Sequence, residues 1–400
     1  MGQVLNPKRR TAARRLLGLL SLCVCSLPIW LLPPGQAAPG QLETSVVNAG
    51  SLLAPTSSAA RPGGYPGGLA DVSEPPPPPG EIRLAFLVGQ LVMAGMDGTQ
   101  PDAELLRQAR EGEIGGVLLF SGNVSPDLPA AMQSLQDAAR QGDDPPLLIA
   151  TDQEGGAVKR LPGPPRSPNQ IDSEALADSE GAATASLLSA SHVNVDLAPV
   201  ADVISPGGFE ARQGRGFTGG PDRVAALATA FAGGLQRRHV AATAKHFPGI
   251  GSLALDTDHT LGQLQLSPAA MQDQLVPFRR LVDHGVDLVM LANAVCPVWD
   301  AARPAVFSRN VAEGLLRQQL GFGGVVITDD LEAQSLQGDL GERAVLAVEA
   351  GADLVLFGSA AGGRAAYRAL LAAAQSGRLS GQRLLDSYRR LRTLKATLAS

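Results

Sequence analysis

The chain has very little cysteine. Three of its 400 residues are cysteines, and Cys23 and Cys25 lie in an apolar stretch near the amino terminus, so Cys296 is the only thiol of the remaining chain. One thiol cannot form an internal disulfide, so a folded domain must be stabilised by its core. Hydrophobic residues make up 44% of the chain, which is sufficient for a large core and excludes a wholly disordered protein.

Aromatic residues and positive charge are also scarce. Aromatics account for 4% of the chain and the formal net charge is −5, which argue against base stacking and against binding of a phosphate backbone. No GxGxxG follows the first predicted strand, and no HxH or HExxH spacing occurs. The sequence therefore predicts no nucleic-acid partner, no metal site and no cofactor.

The amino terminus has the layout of an export signal. Basic residues from Lys8 to Arg15 precede an apolar run over 16–32, and small residues follow up to Ala37. We predict a signal peptide over 1–37 that is cleaved after Ala37, or a retained membrane anchor as the alternative. Residues 38–80 are rich in proline and glycine and are predicted to be a disordered linker. The protein is then exported, to the periplasm or the outside of the cell, with membrane attachment if the anchor is retained.

Residues 81–400 alternate between short apolar runs and helix-like segments such as 221–238 and 308–321, the latter with Ser308 as N-cap. Continuous apolar strands alternating with helices favour a parallel sheet buried on both faces. Eight such units predict a (β/α)8 TIM-like barrel, with a doubly wound open sheet as the runner-up. The runs are 91–98, 115–122, 147–153, 192–200, 241–249, 287–293, 324–330 and 353–358.

Polar residues follow these runs and would meet at one mouth of a barrel, where active sites are built. Carboxylates there include Asp152, Asp202 and Asp329, and Lys245 and His246 follow the fifth run. Carboxylates beside a proton donor suit glycoside hydrolysis. A Schiff base on Lys245 would suit an aldolase instead. Composition and spacing leave these reactions open.

Several segments, in order, resemble glycoside hydrolase family 3, particularly its single-domain bacterial β-N-acetylglucosaminidases. The resemblance spans roughly 82–395 and is carried by LLIATDQEGGAVKRLPG (147–163), HVNVDLAPVADV (192–203), GRGF (214–217), AATAKHFPGIG (241–251), GFGGVVITDDLEA (321–333) and VEAGADLVLFG (348–358). It implies a barrel, a carbohydrate substrate and no cofactor.

Residue roles follow from the same motifs. The first aspartate of the family's strand-end motif is the nucleophile, which implies that role for Asp329. The resemblance implies substrate binding by a second group of residues, in which Asn293 stands where the family often has histidine. This group comprises Asp152, Arg160, Arg215, Lys245, His246 and Asn293.

At the position of the proton donor, KHFPGIGSLALDTDHTL (245–261) departs from the family pattern. Asp258 stands at the position of the family's catalytic histidine, Asp256 at that of its partner, and His259 follows one residue later. Three hypotheses result. His259 is the acid/base with Asp256 or Asp258 beside it, or Asp258 is the acid/base, or the loop does not catalyse.

The leading expectation is a monomeric, exo-acting, retaining β-N-acetylhexosaminidase that acts on peptidoglycan-type sugars. The alternatives are a catalytically degenerate barrel that binds sugar, a family 3 hydrolase of another β-glycoside, and the Lys245-dependent aldolase.

Overall fold

The structure, a computed structural model, describes residues 83–142 and 144–399. The predicted signal or anchor over 1–37 and the predicted linker over 38–80 lie outside the described residues. Among the helices of the described part of the chain, none has both the length and the apolar character required to span a bilayer.

Within the described residues, eight parallel strands form a closed barrel, in which the last strand pairs with the first. The barrel prediction is thereby confirmed, and the open sheet is excluded. The strands are β1 (Val92–Gly95), β2 (Gly116–Leu119), β3 (Leu148–Thr151), β4 (Val195–Asp196), β5 (Ala241–Phe247), β6 (Leu288–Leu291), β7 (Val325–Asp330) and β8 (Leu354–Phe357). Every residue of these strands is buried except Asp329 and Asp330 at the end of β7, as both faces of a parallel barrel require.

Helices surround the barrel and bury its outer face. The α-helices are Leu84–Gln90, Ala103–Glu111, Leu128–Gln141, Glu174–Ala190, Phe209–Arg212, Pro221–Gln236, Pro268–Asp283, Leu340–Ala350, Ala360–Gln375 and Gly381–Ala399. Several begin at a capping side chain. Asp102 accepts from the amide of Leu105, and Ser359 accepts from that of Gly362.

The two helices predicted from the sequence are present with small differences. The first covers Pro221–Gln236. The second is a π-helical segment, Asn310–Gln319, which begins after Arg309 instead of directly after Ser308. The hydroxyl of Ser308 still accepts a long hydrogen bond of 3.4 Å from the amide of Val311.

Short strands extend the chain beyond the carboxyl ends of the barrel strands. Gln153–Gly155 follows β3 and pairs with Val158–Lys159. Ala294–Cys296 follows β6 and pairs with Gly262–Gln263 and Asp300–Pro304. These additions fix the loops around the mouth of the barrel, where the polar residues predicted from sequence emerge.

Charged side chains are also buried at the amino ends of two strands. Asp353, which precedes β8, is fully buried and accepts hydrogen bonds from the amide of Val326 and the hydroxyl of Ser387. Near β1, the Nζ atom of Lys395 donates to Oε1 of Gln90 over 2.7 Å. These contacts connect the carboxyl-terminal helix to the barrel, away from the mouth.

Candidate active site

A cavity of about 170 Å³ opens at the carboxyl ends of the barrel strands. Its walls combine apolar side chains such as Leu197 and Met290 with a dense set of charged ones. The charged and titratable lining residues are Asp152, Arg160, Glu210, Arg215, Lys245, His246, Asp256, Asp258, Asp329 and Asp330. Two of the residues predicted to form the site, Asn293 and His259, are not part of this lining.

Lys245, from β5, lies at the centre of a buried ion-pair network. Its Nζ atom lies 2.7 Å from Oδ1 of Asp152 and 2.7 Å from Oε1 of Glu154. Burial alone would lower the pKa of Lys245, but the charges of Asp152 and Glu154 outweigh burial and raise it above its ordinary value. The lysine is therefore a fixed cation at the mouth.

Two arginines complete this network. Arg215 forms a bidentate pair with Glu154, with Nε–Oε2 at 2.7 Å and Nη2–Oε1 at 2.8 Å. Arg160 donates to Oδ2 of Asp152 over 3.2 Å. Burial alone would raise the pKa of Asp152, but Lys245 and Arg160 lower it well below its ordinary range. Asp152 therefore stays ionised and can accept hydrogen bonds from sugar hydroxyls.

A second network surrounds His246. Its Nδ1 atom lies 2.9 Å from Oδ2 of Asp202 and 3.0 Å from Oε1 of Glu210. Asp202 also accepts from the amides of His246 and Ile250, which fixes its carboxylate. Burial would lower the pKa of His246, but the hydrogen bond to Asp202 and the negative charge of Glu210 outweigh it and raise the pKa to about 10. The ring is then a cation held between two carboxylates.

Sequence reasoning missed Glu210, which lies on the short helix Phe209–Arg212 outside the motifs that carry the family resemblance. Burial, followed by the charge of Asp202, raises its pKa to about 7. Asp202, Glu210 and His246 offer donor atoms within 4.8 Å of one another, a set that could also hold a divalent cation. The predicted absence of a metal site stays a prediction.

Asp329 and Asp330 end strand β7. Oδ1 of Asp329 accepts from the amide of Asp330 over 2.9 Å, and Asp329 lines the cavity. The carboxylate of Asp330 accepts more hydrogen bonds from the protein, because its Oδ1 atom accepts from the amides of Glu332 and Gly358. Burial raises the pKa of Asp330 to about 7. Asp329 is therefore the aspartate of this pair whose carboxylate has fewer bonds to the protein.

Asn293 lies behind this strand end instead of in the lining. It is fully buried, and its Nδ2 atom donates to the carbonyl of Asp330 over 2.8 Å. Its contact with the backbone of β7 makes it a residue that positions the strand end.

The two proton-donor candidates on the loop after β5, Asp258 and His259, lie in different environments. Asp258 is exposed at the mouth but lines the same cavity as Asp329. Partial desolvation within the cavity, followed by repulsion from Asp329 and Asp256, raises the pKa of Asp258 to about 6. His259 has a side chain that is 65% exposed, and its Nδ1 atom lies 3.1 Å from Oδ2 of Asp256. The loop thus directs Asp258 to the cavity and His259 to solvent.

Comparison with known proteins assigns the barrel to a family. Residues 84–394 match the family model described as the glycosyl hydrolase family 3 N terminal domain. The chain belongs to glycosyl hydrolase family 3. In barrels of this kind, active sites are built at the carboxyl ends of the strands, which is where the carboxylates of this chain are gathered.

Particular relatives refine this assignment. An uncharacterized secreted glycosyl hydrolase from Arthroderma benhamiae is 36% identical over 335 residues, which are 80% of this chain and 95% of that protein. A beta-hexosaminidase from Alkalilimnicola ehrlichii is 37% identical, over 68% of this chain and 81% of its own.

Solved structures show the same barrel. A family 3 beta-N-acetylglucosaminidase from Paenibacillus sp. has a TM-score of 0.76 and 38% identity, covering 80% of this chain. The present chain spans 63% of that protein. A beta-N-acetylhexosaminidase from Beutenbergia cavernae has a TM-score of 0.71 and 33% identity, with 79% of this chain and 99% of that one covered.

Proposed function

We propose that the protein is an exo-acting, retaining β-N-acetylhexosaminidase that releases terminal β-linked N-acetylglucosamine. The proposal is carried by one observation: Asp329 and Asp258 line the same cavity, together with the fixed charges of Asp152, Lys245 and His246. The names of the hexosaminidase relatives support the choice of sugar. A cavity of about 170 Å³ is small for a ligand pocket, which favours a single terminal residue over an internal segment of a glycan.

The proposed reaction is a double displacement. The carboxylate of Asp329 attacks the anomeric carbon and forms a glycosyl ester while the glycosidic bond breaks and the acid/base protonates the leaving oxygen. The acid/base then removes a proton from water, which attacks the same carbon and frees Asp329. Configuration is retained because two inversions occur at one centre.

We assign the acid/base role to Asp258. It lines the cavity, and its raised pKa lets it carry a proton at mildly acidic pH. His259 lies outside the lining, and its contact with Asp256 suits it to hold the loop. This assignment selects one of the three hypotheses that the sequence left open.

The remaining charged residues would orient the sugar. Asp152 and Lys245 present a fixed anion and a fixed cation, which recognise hydroxyl groups as acceptor and donor. Arg160, Arg215 and His246 extend this set around the cavity. Asn293 contributes indirectly, through its bond to the backbone of Asp330.

Export of the enzyme is part of the proposal. The layout of residues 1–37 and the secreted relative from Arthroderma benhamiae support it. Cell-wall glycans of the peptidoglycan type, which contain β-linked N-acetylglucosamine, are the proposed source of the sugar, and the enzyme would act on them as a monomer.

Hydrolysis of the para-nitrophenyl β-glycosides of N-acetylglucosamine and glucose by the full chain tests this function. We expect cleavage of the N-acetylglucosaminide and a loss of about 10³-fold or more in kcat/KM for Asp329→Asn. Asp273→Asn, an exposed change on helix Pro268–Asp283, is the matched control and should retain full activity. Preference for the glucoside would indicate another family 3 specificity. Sugar binding by calorimetry with no cleavage would favour the degenerate, sugar-binding barrel and overturn the proposal.

A further inference from the structure

A second cavity, of about 290 Å³, adjoins the first on the loop that carries Asp258. Leu253 and Leu255 line both cavities. The rest of its lining consists of Ser252, Ala254, Gln263, Gln265 and Leu266, so no charged side chain of the described residues contributes to it. An uncharged, leucine-rich cavity therefore lies directly beside a strongly charged one.

Exposed apolar side chains occur on the loop that carries this second cavity, and one of them, Leu255, lines it. Among residues 83–142 and 144–399, four large hydrophobic side chains are exposed, and Leu255 (39%) and Leu261 (42%) are on the loop itself. Val298 follows strand Ala294–Cys296, which pairs with Gly262–Gln263 of the loop. The fourth, Leu346, is on a helix elsewhere. A cluster of exposed apolar groups beside a pocket is typical of a binding surface.

The position of the loop defines which part of a substrate would reach the second cavity. A general acid must lie beside the glycosidic oxygen, between the sugar and its aglycone. Leu255 lies three residues before Asp258 on the same loop and lines both cavities. A sugar placed in the charged cavity would therefore direct its aglycone past Asp258 toward the leucines.

The negative charges in the sugar cavity restrict which aglycones can bind beside it. The lining of the sugar cavity includes three carboxyl groups, those of Asp256, Asp258 and Asp329. Repulsion from the other two contributes to the raised pKa of Asp258. An anionic aglycone would be repelled by these carboxylates and would find no cation in the second cavity.

We propose that the second cavity is an aglycone subsite that binds an uncharged, apolar aglycone. The inference rests on the proposed glycosidase function and narrows it. Among β-linked N-acetylglucosaminides, those whose aglycone is alkyl or similarly apolar are preferred over those whose aglycone carries a carboxylate. Among cell-wall glycans, this favours a neighbouring sugar whose carboxyl group is amide-linked to peptide over one whose carboxylate is free.

The test compares three O-linked β-N-acetylglucosaminides with the full chain: methyl, octyl and 7-carboxyheptyl. Octyl and 7-carboxyheptyl chains have equal length and differ by the terminal carboxylate. We expect kcat/KM to be about tenfold higher for octyl than for methyl, with the carboxylated chain well below octyl. Leu255→Ser should bring the octyl-to-methyl ratio close to one, whereas the control Leu346→Ser should leave the ratio unchanged.

Failure of this inference is distinguishable from failure of the proposed function. Cleavage of all three glycosides at equal rates, or an octyl preference that survives Leu255→Ser, would overturn the subsite but leave the glycosidase intact. If nothing is cleaved, calorimetry with the octyl and methyl 1-thio-β-glycosides decides: equal affinity, or no binding of either, overturns the subsite. A loss of self-association or vesicle binding in Leu255→Ser with an unchanged alkyl preference would assign the leucines to a different partner and likewise overturn it.

Discussion

The Nζ atom of Lys245 lies 2.7 Å from the Oε1 atom of Glu154, inside the barrel mouth. The same Nζ atom also lies 2.7 Å from the Oδ1 atom of Asp152. One buried and one partly buried carboxylate around the ammonium group keep the lysine protonated, and a protonated amine cannot attack a carbonyl carbon. This contact bears on the aldolase alternative.

Borohydride should therefore trap no adduct between Lys245 and a carbonyl compound. Intact-mass measurement of the protein after incubation with a range of aldehydes, ketones and borohydride checks this. Lys245→Met is the control for modification of Lys159 and the amino terminus. A mass increase that disappears in Lys245→Met would show a free amine and revive the Schiff-base reaction.

The pH profile of glycoside cleavage should follow Asp258. A general acid works in its protonated form, so kcat/KM for an alkyl glycoside should fall as the pH rises above about 6, the raised pKa of this group. Asp258→Asn should remove that alkaline limb and reduce kcat/KM by about 10²–10⁴-fold, with a smaller loss for a nitrophenyl glycoside, whose leaving group needs little protonation.

His259→Ala is the comparison for this prediction. It should retain the alkaline limb near the same pH, because His259 lies outside the cavity lining. A limb that vanishes in His259→Ala and persists in Asp258→Asn would return the acid/base role to the histidine.

The stability of the fold should increase with pH because of Lys395. Burial lowers the pKa of this lysine from 10.5 to about 7, with Asp144 opposing part of the effect. Between these values the unfolded chain binds more protons than the folded one, so the free energy of unfolding rises with pH by up to about 1.4 kcal/mol per unit. Lys395→Met should flatten this rise and stabilise the protein at pH 7, as followed by urea unfolding from pH 7 to 10. An equally steep rise in the variant would contradict the assignment.

Asp353 should be among the most sensitive positions for stability. Its fully buried carboxylate pairs with Arg317, Arg383 and Arg390. Asp353→Asn leaves these arginines without their anion and should reduce the free energy of unfolding by about 3–5 kcal/mol. Asp386→Asn, which breaks a partly exposed pair with Arg389, should cost about 1 kcal/mol or less. Equal midpoints of urea unfolding for the two variants would show that burial of the Asp353 network has little effect.

The barrel could be predicted from sequence because each buried parallel strand is a continuous apolar run. Some of the apolar runs in the sequence are longer than the strands that they form. Within residues 192–200, strand β4 covers only Val195–Asp196, and after an interruption that includes Pro199, which has no amide to donate, Val200 forms an isolated bridge with Lys245. Boundaries of this kind depend on the ladder that forms and not on hydrophobicity.

The candidate site was predictable to the extent that side chains follow directly from strand ends, as for Asp152, Lys245 and Asp329. Glu210 was not, because its short helix meets His246 only through the tertiary fold. The order Asp258-His259 could not be resolved from sequence, since the direction of a loop side chain depends on contacts such as that between His259 and Asp256. Asn293 follows β6, but its amide turns toward the backbone of Asp330.

Because the barrel is closed, the pocket is lined by residues from both halves of the chain. Residues before β5 supply Asp152, Arg160 and Glu210, whereas Lys245, Asp258 and Asp329 come from β5 onward. The halves meet where β5 pairs with β4 and where β8 pairs with β1. If the chain were expressed as separate fragments cut in the turn before β5, the second half would carry both proposed catalytic residues, Asp258 and Asp329, but would lack the charged residues of the first half that complete the pocket. Glycosidase activity that appears on mixing the two fragments would then show that the half-barrels have associated and that the pocket has formed between them.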